Sequence, residues 1–443
     1  MKIKKLPIDP GPAGWNAILP HRNSTNAMEG TKATDWLIIG GGFAGLSAAR
    51  RITQLHPKDD IVLLEAKQIA EGPSGRNSGF MIDLPHNLAS GDYLGETSNS
   101  LKEIQSNRTA ISFAKQMAKD FNLPSEALRN SGKLNAAATV KGSKHNKDYA
   151  RHLYQMNEPY ELLDAAQMAS ITGSNYYLSG LYTPGTAILQ PAMFVRGVAE
   201  ALSLNGVKIY ENSPVIALDY VKNWVVQTPG GSLTAPKVIL AVNGHANSFG
   251  FFKKQLMHVF TYASMTRALT KQEVKILGGQ PNWAATPADP LGTTVRRVSG
   301  AGGDRIIIRN RASFDPSMEV SEARIQSVGN THDSSFRDRF PMLKNVTMEF
   351  RWGGRLCLSR NSVAAFGEIA PGLFSACCQN GLGTAKGTLH GMLAAELASE
   401  HSSDLLSNIM TQAEPKRLPP GPIAWLGANA LLKWGEFKAG ADL

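Results

Sequence analysis

The sequence predicts an α/β protein of more than one unit: a βαβ start of the parallel-sheet type, then a different, strand-rich middle. Three stretches predict it, namely a βαβ pattern from Asp35 to Glu65, a middle region of short β-branched segments, and a strand-turn-helix pattern from Leu373 to Ser399. At 443 residues the chain exceeds the size at which one hydrophobic core usually stops growing, so two or three structural units are expected.

Each element follows from its residues. Residues 1–33 carry Pro7, Pro10, Pro12 and Pro20 and read as an irregular arm. Asp35–Ile39 is a short apolar strand ending in glycines. Phe43, Leu46, Ala49 and Ile52 then fall on one face of a helix running from about Phe43 to Leu55. Pro57–Asp60 turns the chain, and Ile61–Glu65 is a second buried-type strand. A helical pattern follows from Ser98 to Phe121, with Ile104, Ile111 and Ala114 among its apolar positions. Segments 132–139, 206–210, 215–221, 224–228 and 237–242 are short and strand-like, with a hairpin signal at Pro229–Gly231. Strand-like stretches recur at 257–268 and 304–311. After Leu373–Cys378 (strand), Gln379–Gly383 (turn) and Thr384–Ser399 (helix), residues 415–422 are Pro-rich. A last short amphipathic helix is expected over Trp425–Phe437. Its Trp425, Leu426, Leu431, Leu432 and Trp434 either dock on the protein's own surface or touch a membrane.

Composition narrows the class. With 42% hydrophobic and 19% charged residues the chain is globular, which excludes disorder, collagen or coiled coil as its main theme. No apolar run approaches the ~18 residues of a spanning helix, and the start lacks the pattern of a signal peptide. Of the three cysteines, Cys357, Cys377 and Cys378, two are adjacent, where an ordinary bridge would be strained. A disulfide scaffold is therefore excluded and a reducing, cytoplasmic location is expected. The net charge of +10 permits attraction to anions, but the basic residues are scattered without interleaved aromatics, so nucleic-acid binding is not expected. His86, His145, His152, His245, His332 and His390 show no ligand spacing, and no metal is expected.

The strongest motif is Gly40-Gly41-Gly42-Phe43-Ala44-Gly45, a GxGxxG that follows a strand and opens a helix. In such a turn the first glycine permits the tight bend, the second lets a pyrophosphate approach the backbone, and the third lets helix and strand pack closely. The anion then sits on the helix N-terminus. Glu65, twenty residues beyond Gly45, stands where a carboxylate can accept hydrogen bonds from an adenosine ribose. These features together predict a dinucleotide site. Directly afterwards, Glu71–Phe80 is small, polar and Gly-rich where a simple NAD domain would continue as helix. It reads either as a solvated loop or as one draped over an extended cofactor, with Ser74, Asn77 and Ser78 as donors and Arg76 as a cation for phosphate or substrate.

The fingerprint, the Ser74-Gly75-Arg76-Asn77-Ser78-Gly79 loop and the C-terminal stretch Asn380–Ala398 resemble the D-amino acid oxidase (DAO) family of FAD-dependent oxidoreductases. Within it the sequence is most similar to the gamma-glutamylputrescine oxidase and sarcosine-type amine oxidase branch. The likeness extends to Trp352-Gly353-Gly354 and the tail from Pro419 to Gly440. It implies a Rossmann-like FAD-binding domain assembled from residues 34–95, 186–250 and 346–400. An α+β substrate domain on an antiparallel sheet (96–185 and 251–345) is interleaved with it, and a tail follows over 401–443. It also implies flavin contacts from Gly40, Gly42, Phe43, Ala44, Gly45, Glu65, Ala66, Lys67, the 74–79 loop, Val215, Trp352 and Gly353. At the second glycine turn, Gly381-Leu382-Gly383-Thr384, a helix N-terminus would meet the flavin pyrimidine edge and favour the negative charge that develops there. Some relatives attach flavin through a cysteine; the match here falls at Gly354, with Cys357 out of register, so the FAD is expected to be non-covalent and Cys357 a buried thiol.

The implied reaction oxidises a C–N bond of a small amine or N-substituted amino acid to an imine, which hydrolyses to an aldehyde or keto acid, with O2 converted to H2O2. A dehydrogenase serving a quinone or partner protein, and a tRNA-modifying flavoprotein, are the alternatives. Flavin carries the hard chemistry, so no obligatory protein base is required. His258 and Tyr262, four apart on one strand face, either hydrogen-bond the substrate or pack as a pair. Arg309, among apolar neighbours, either clamps a substrate carboxylate or makes a structural ion pair. The family commonly has Gly near that position, so Ile-Arg-Asn is a departure that leaves the substrate open, and the oligomeric state is open as well.

Overall fold

The computed structural model describes residues 1–85 and 97–443; the expected boundary between residues 95 and 96 lies outside the described residues. The strands Trp36–Ile39 and Ile61–Leu64 are buried at every position, as strands covered on both faces must be. They form the middle of a six-stranded sheet whose order is Lys208–Tyr210, Ile61–Leu64, Trp36–Ile39, Lys237–Leu240, Leu373–Cys377 and Ala365–Ala370. The first five run parallel and the last is antiparallel. The helices Phe43–Leu55 and Ala385–Ala398, far apart in sequence, pack closely on each other. Gly391 makes this approach possible, since a Cβ there would sit 1.9 Å from the Ala44 carbonyl oxygen.

The second layer is an eight-stranded sheet in the order Met348–Ser359, Leu256–Thr266, Gly303–Phe314, Thr294–Gly300, Trp283–Pro287, Lys133–Ala137, Ser179–Thr183 and Glu161–Asp164. Its pairs are antiparallel except that between Trp283–Pro287 and Lys133–Ala137. Met348–Ser359 pairs along its whole length with Leu256–Thr266, so the segment 346–400 expected in the nucleotide unit divides between the two sheets. The 18-residue helix Glu322–Arg339 covers one face of this sheet, burying Ile325, His332 and Phe336.

Several expectations need correction. The N-terminal arm is not irregular throughout. It holds the turn of helix Gly14–Ala17 and the strand Gly30–Ala33, which pairs in parallel with Gly231–Ala235 at the edge of a four-stranded sheet. That sheet contains the expected hairpin, Trp224–Thr228 with Gly231–Ala235. The middle of the chain also contains helices that its β-branched segments hid, among them Val140–Gln155 and Pro191–Leu204. The latter had a readable start: Gln190 accepts from the Met193 amide, Pro191 opens the first turn, and Phe194 stacks on Phe43 at 5.9 Å. The tail helix runs from Gly421 to Ala439.

Trp15 fastens the arm. It is fully buried, its indole Nε1 donates to the Asn77 carbonyl at 2.9 Å, and its own carbonyl accepts from Gln190 Nε2 at 2.8 Å. The Arg296 guanidinium lies 4.7 Å from its ring centroid. Trp15→Ala is expected to cost about 3–5 kcal/mol, by analogy with other large-to-small core substitutions. The readout is the urea midpoint of the unit containing the six-stranded sheet, and an unchanged midpoint would contradict the anchoring role.

Candidate active site

The GxGxxG turn folds as its glycines require. Gly40 has φ +108, and a Cβ on Gly45 would lie 1.8 Å from the Gly40 carbonyl oxygen, so helix Phe43–Leu55 starts hard against its strand. No side chain caps this helix at Gly42, and none caps helix Ala385–Ala398 at Thr384. The first amides of a helix need partners from outside it, and both helix starts face one continuous cavity of about 1090 Å³. The cavity exceeds the ~300–1,000 Å³ of ordinary small-ligand pockets. Its walls also include Glu65, Ala66, Lys67, Val215 and the 76–80 loop, so the predicted residues at both glycine turns meet at one site.

Glu65 is held in place by its surroundings. Its Oε2 accepts from the Gly41 amide at 2.8 Å and its Oε1 from the Lys67 amide at 3.0 Å. Burial pushes its carboxyl above the usual range; those two amides oppose the shift, and Asp9 and Glu211 add to it. Val215 is buried and lines the cavity from the segment just before strand Ala217–Tyr220. Thr384 Oγ1 donates to the Phe80 carbonyl at 2.5 Å, tying the second glycine turn to the loop. Lys386 also reaches the cavity wall, paired with Glu103 at 2.8 Å.

The 74–79 loop is built differently from its expected role. Arg76 spends its guanidinium on backbone carbonyls: Glu71 (2.6 Å), Pro10 (3.0 Å), Gly353 (3.4 Å), Asp9 (3.2 Å) and Gly11 (2.7 Å). All of its N–H groups are engaged with backbone carbonyls, so it clamps arm, loop and strand together while still lining the cavity. Asn77 likewise folds the loop, donating to the Ser74 carbonyl at 2.7 Å and accepting from the Gly79 amide at 2.8 Å. Gly75, Trp352 and Gly353 lie behind the loop and do not line the cavity; Trp352 Nε1 donates to the Arg76 carbonyl at 2.9 Å. Gly45 is also off the wall, serving helix packing alone.

His258 and Tyr262 share a face, as expected, but it is the wrong one. Met257, Val259, Thr261 and Ala263 of the same strand line the cavity, so period-two alternation turns His258 and Tyr262 away from it. Tyr262 is buried with Phe260, Val320 and Ile325, its hydroxyl 2.6 Å from Ser313 Oγ. His258 bonds Asn247 through Nε2 at 3.1 Å. Arg309, by contrast, is half-buried and lines the cavity, on the sheet face of its cross-strand neighbours Ala263 and Thr294.

Arg355, Arg311 and Glu436 are among the cavity-wall residues that escaped the sequence reading. Arg355 is buried and donates to the Met318 carbonyl at 3.0 Å. Arg311 occupies a β-bulge with φ +60, opposite the register shift between Thr261 and Tyr262. It donates to Glu436 Oε2 at 3.0 Å, while Glu436 Oε1 accepts from the Ala312 amide at 3.1 Å. The legible signals were a lone arginine in the apolar end of its strand and a lone acid in an apolar, basic tail.

The geometry defines a two-sheet dinucleotide-binding enzyme fold, with the cofactor groove at the carboxyl ends of parallel strands and a second sheet over it. Over residues 35–397 the chain matches the DAO family, FAD dependent oxidoreductase, and it belongs to that family. It is 27% identical over 385 residues to "Probable oxidoreductase OrdL" of Rhizobium meliloti (strain 1021), covering 83% of each chain. It is 25% identical over 350 residues to gamma-glutamylputrescine oxidoreductase of Escherichia coli (strain K12), covering 77% of this chain and 78% of that one. In fold it resembles the crystal structure of glycine oxidase from Geobacillus kaustophilus, with a TM-score of 0.69 at 17% identity over 88% of this chain and all of the other. The protein is an FAD-dependent oxidoreductase.

Two predictions follow from the site. Arg76→Lys is expected to destabilise the FAD-free protein by about 2–4 kcal/mol, because lysine cannot serve five carbonyls and each buried acceptor left bare costs about 1–3 kcal/mol. Thermal melting without flavin reads it; an unchanged midpoint, with only flavin affinity lost, would restore the ligand role. The second concerns pH. Burial lowers His245 to about 2 and His258 to about 4, in both cases with Arg355 adding to the effect. Burial likewise holds His332 and His390 at about 3, so all four imidazoles are neutral in the fold. Unfolded, they protonate near 6.5 and the unfolded chain binds more protons, so stability rises with pH. Their contribution is complete above about pH 6.5 and is lost as pH falls toward the folded values. A melting midpoint that does not fall between pH 8 and pH 5 would contradict this.

Proposed function

We propose that this protein oxidises the C–N bond of a small amine or N-substituted amino acid carrying a carboxylate. The observation that carries this reading is the single cavity joining two uncapped helix starts at one end to Arg309 on the antiparallel sheet. The residues fit FAD. The Gly40–Gly45 turn would take the pyrophosphate on its amides, Glu65 and Val215 would flank the adenosine, and the Gly381–Thr384 turn would meet the pyrimidine edge. When bound, FAD supplies the two-electron acceptor for the hydride leaving the carbon beside nitrogen.

The chain's own residues then have separate tasks. Arg309 binds the substrate carboxylate by paired N–H donors and so fixes which carbon faces the cofactor. Thr261, Ala263 and Thr294 line the floor beside it. The two sheets and the tail helix supply the walls around that position. The balance is complete with O2 as the final acceptor: substrate H–C–N–H loses two electrons and two protons to give C=N, and O2 gains both to give H2O2. Water then adds to the imine and releases the amine fragment from an aldehyde or keto acid. Cys357 is buried, and the neighbouring Cys378 together with burial raises its pKa, which keeps it a thiol and supports non-covalent flavin.

The test mixes the flavin-loaded protein anaerobically with sarcosine, D-amino acids, opines and polyamine derivatives, and follows flavin absorbance and, in air, peroxide. Bleaching by a carboxylated amine is expected, and its absence across the set contradicts the reading. Arg309→Met is expected to lower kcat/KM about 30- to 1,000-fold for carboxylated substrates, through loss of a charge-assisted pair worth ~2–4 kcal/mol. An equal loss for an uncarboxylated amine would remove Arg309 from carboxylate binding.

A further inference from the structure

The tail helix Gly421–Ala439 is packed inside out. Its inward side is small or polar: Ala428, Asn429, Gly435, Glu436 and Ala439, with Leu432 the one large apolar member. Asn429 exchanges hydrogen bonds with the Phe314 backbone at 3.0 and 3.2 Å, and Glu436 is held by Arg311 and the Ala312 amide. At 100° per residue, Ile423, Leu426, Ala430, Trp434 and Phe437 fall within an arc of ~80° on the opposite side. The large members of this stripe are 56–76% exposed. Trp434 and Phe437 stack on each other at 5.9 Å, and Lys438 lies 5.0 Å from the Trp434 ring. A contiguous apolar stripe of this kind on a surface marks a docking site.

Charge selects the occupant. From Lys416 to Lys438 the only acid is Glu436, and it is buried. The exposed charges are Lys416, Arg417, Lys433 and Lys438, and the last two flank the apolar stripe on either side. Lys254, also exposed, accepts from the Leu418 amide through its carbonyl at 2.7 Å, which brings the Lys253–Lys254 pair to the root of the strap. A second copy meeting this face about a two-fold axis would set like charges against each other. An anionic bilayer surface offers both terms: apolar depth for the aromatic stripe and negative charge for the flanking lysines.

We infer that the tail helix is an interfacial anchor that lays its Ile423–Phe437 stripe into the headgroup region of an anionic membrane. No helix among the described residues is long and apolar enough to cross a membrane, so the attachment is to one surface. Ala428, Leu431 and Leu432 also line the cavity, so the helix that carries the stripe forms part of the cavity wall.

Flotation of the full-length protein with phosphatidylcholine vesicles, with and without about a third phosphatidylglycerol, tests this independently of any turnover. The protein is expected to float with the anionic vesicles, to shift its tryptophan emission to the blue, and to be released as salt rises. The variant Leu426→Ser/Trp434→Ser/Phe437→Ser is expected to lower partitioning at least tenfold at an unchanged melting temperature. Should it not fold, Arg417→Glu/Lys438→Glu is expected to lower binding to anionic vesicles at least tenfold. Failure of the wild type to float with anionic vesicles at low salt would overturn the inference. So would a wild-type dimer that the triple-serine variant makes monomeric.

Discussion

The architecture depends on one close approach. Helices Phe43–Leu55 and Ala385–Ala398 come from opposite ends of the chain, and they touch backbone to backbone because Gly391 leaves room for the Ala44 carbonyl. A methyl group at that point would force the helices apart by more than an ångström, against an interior that does not yield cheaply. The contact does more than bury Leu46 and Leu393. It sets two helix starts on one side of the parallel sheet, so that two sets of uncapped amides converge on a shared volume. One helix start is a generic anion site; two that adjoin, with Gly387 packed against Phe43, put two sets of free amides on the wall of the same cavity.

The loop between them is organised by the same economy. Arg76 and Thr384 are polar residues beside a cofactor groove, yet each directs its donors to protein carbonyls. Burying a guanidinium is tolerable only when its N–H groups are satisfied, and five carbonyls from three chain segments do this. The result is rigidity: arm, loop and the strand Met348–Ser359 are fixed relative to one another, and the cavity wall they form is set before any ligand arrives.

Much of this could be read from the sequence, and the limits are physical. GxGxxG with Glu65 marks its own location because its function lies in backbone geometry, and geometry at that scale is local. The strands and the late strand-turn-helix were legible for the same reason. His258 and Tyr262 show where local reading ends. Alternation establishes that they share a face, but which face meets the cavity depends on the pairing of Leu256–Thr266 with strands fifty and ninety residues away. Arg309, left open in the sequence between a carboxylate clamp and a structural ion pair, lines the cavity from its strand, whereas Arg311 required a bulge that no residue pattern announces. The helix Pro191–Leu204 was missed although its cap and Pro191 were visible, because neighbouring β-branched runs dominated the reading.

The tail inverts the usual rule of burial, and the reason lies in what it covers. The strand Gly303–Phe314 stays paired with Leu256–Thr266 as far as Phe314 but loses its other neighbour, Thr294–Gly300, beyond Arg309, so the backbone of Ala312 and Phe314 is open on that edge and needs polar partners. Asn429 and Glu436 supply them, so the helix must turn its polar side inward. A helix of 19 residues with its polar side consumed in this way has only its apolar side left to present outward. The exposed stripe is therefore a consequence of how this open strand edge is satisfied. A neighbouring strand that continued past Arg309, and so removed the need for Asn429 and Glu436, would also remove the reason for the helix to lie in this orientation.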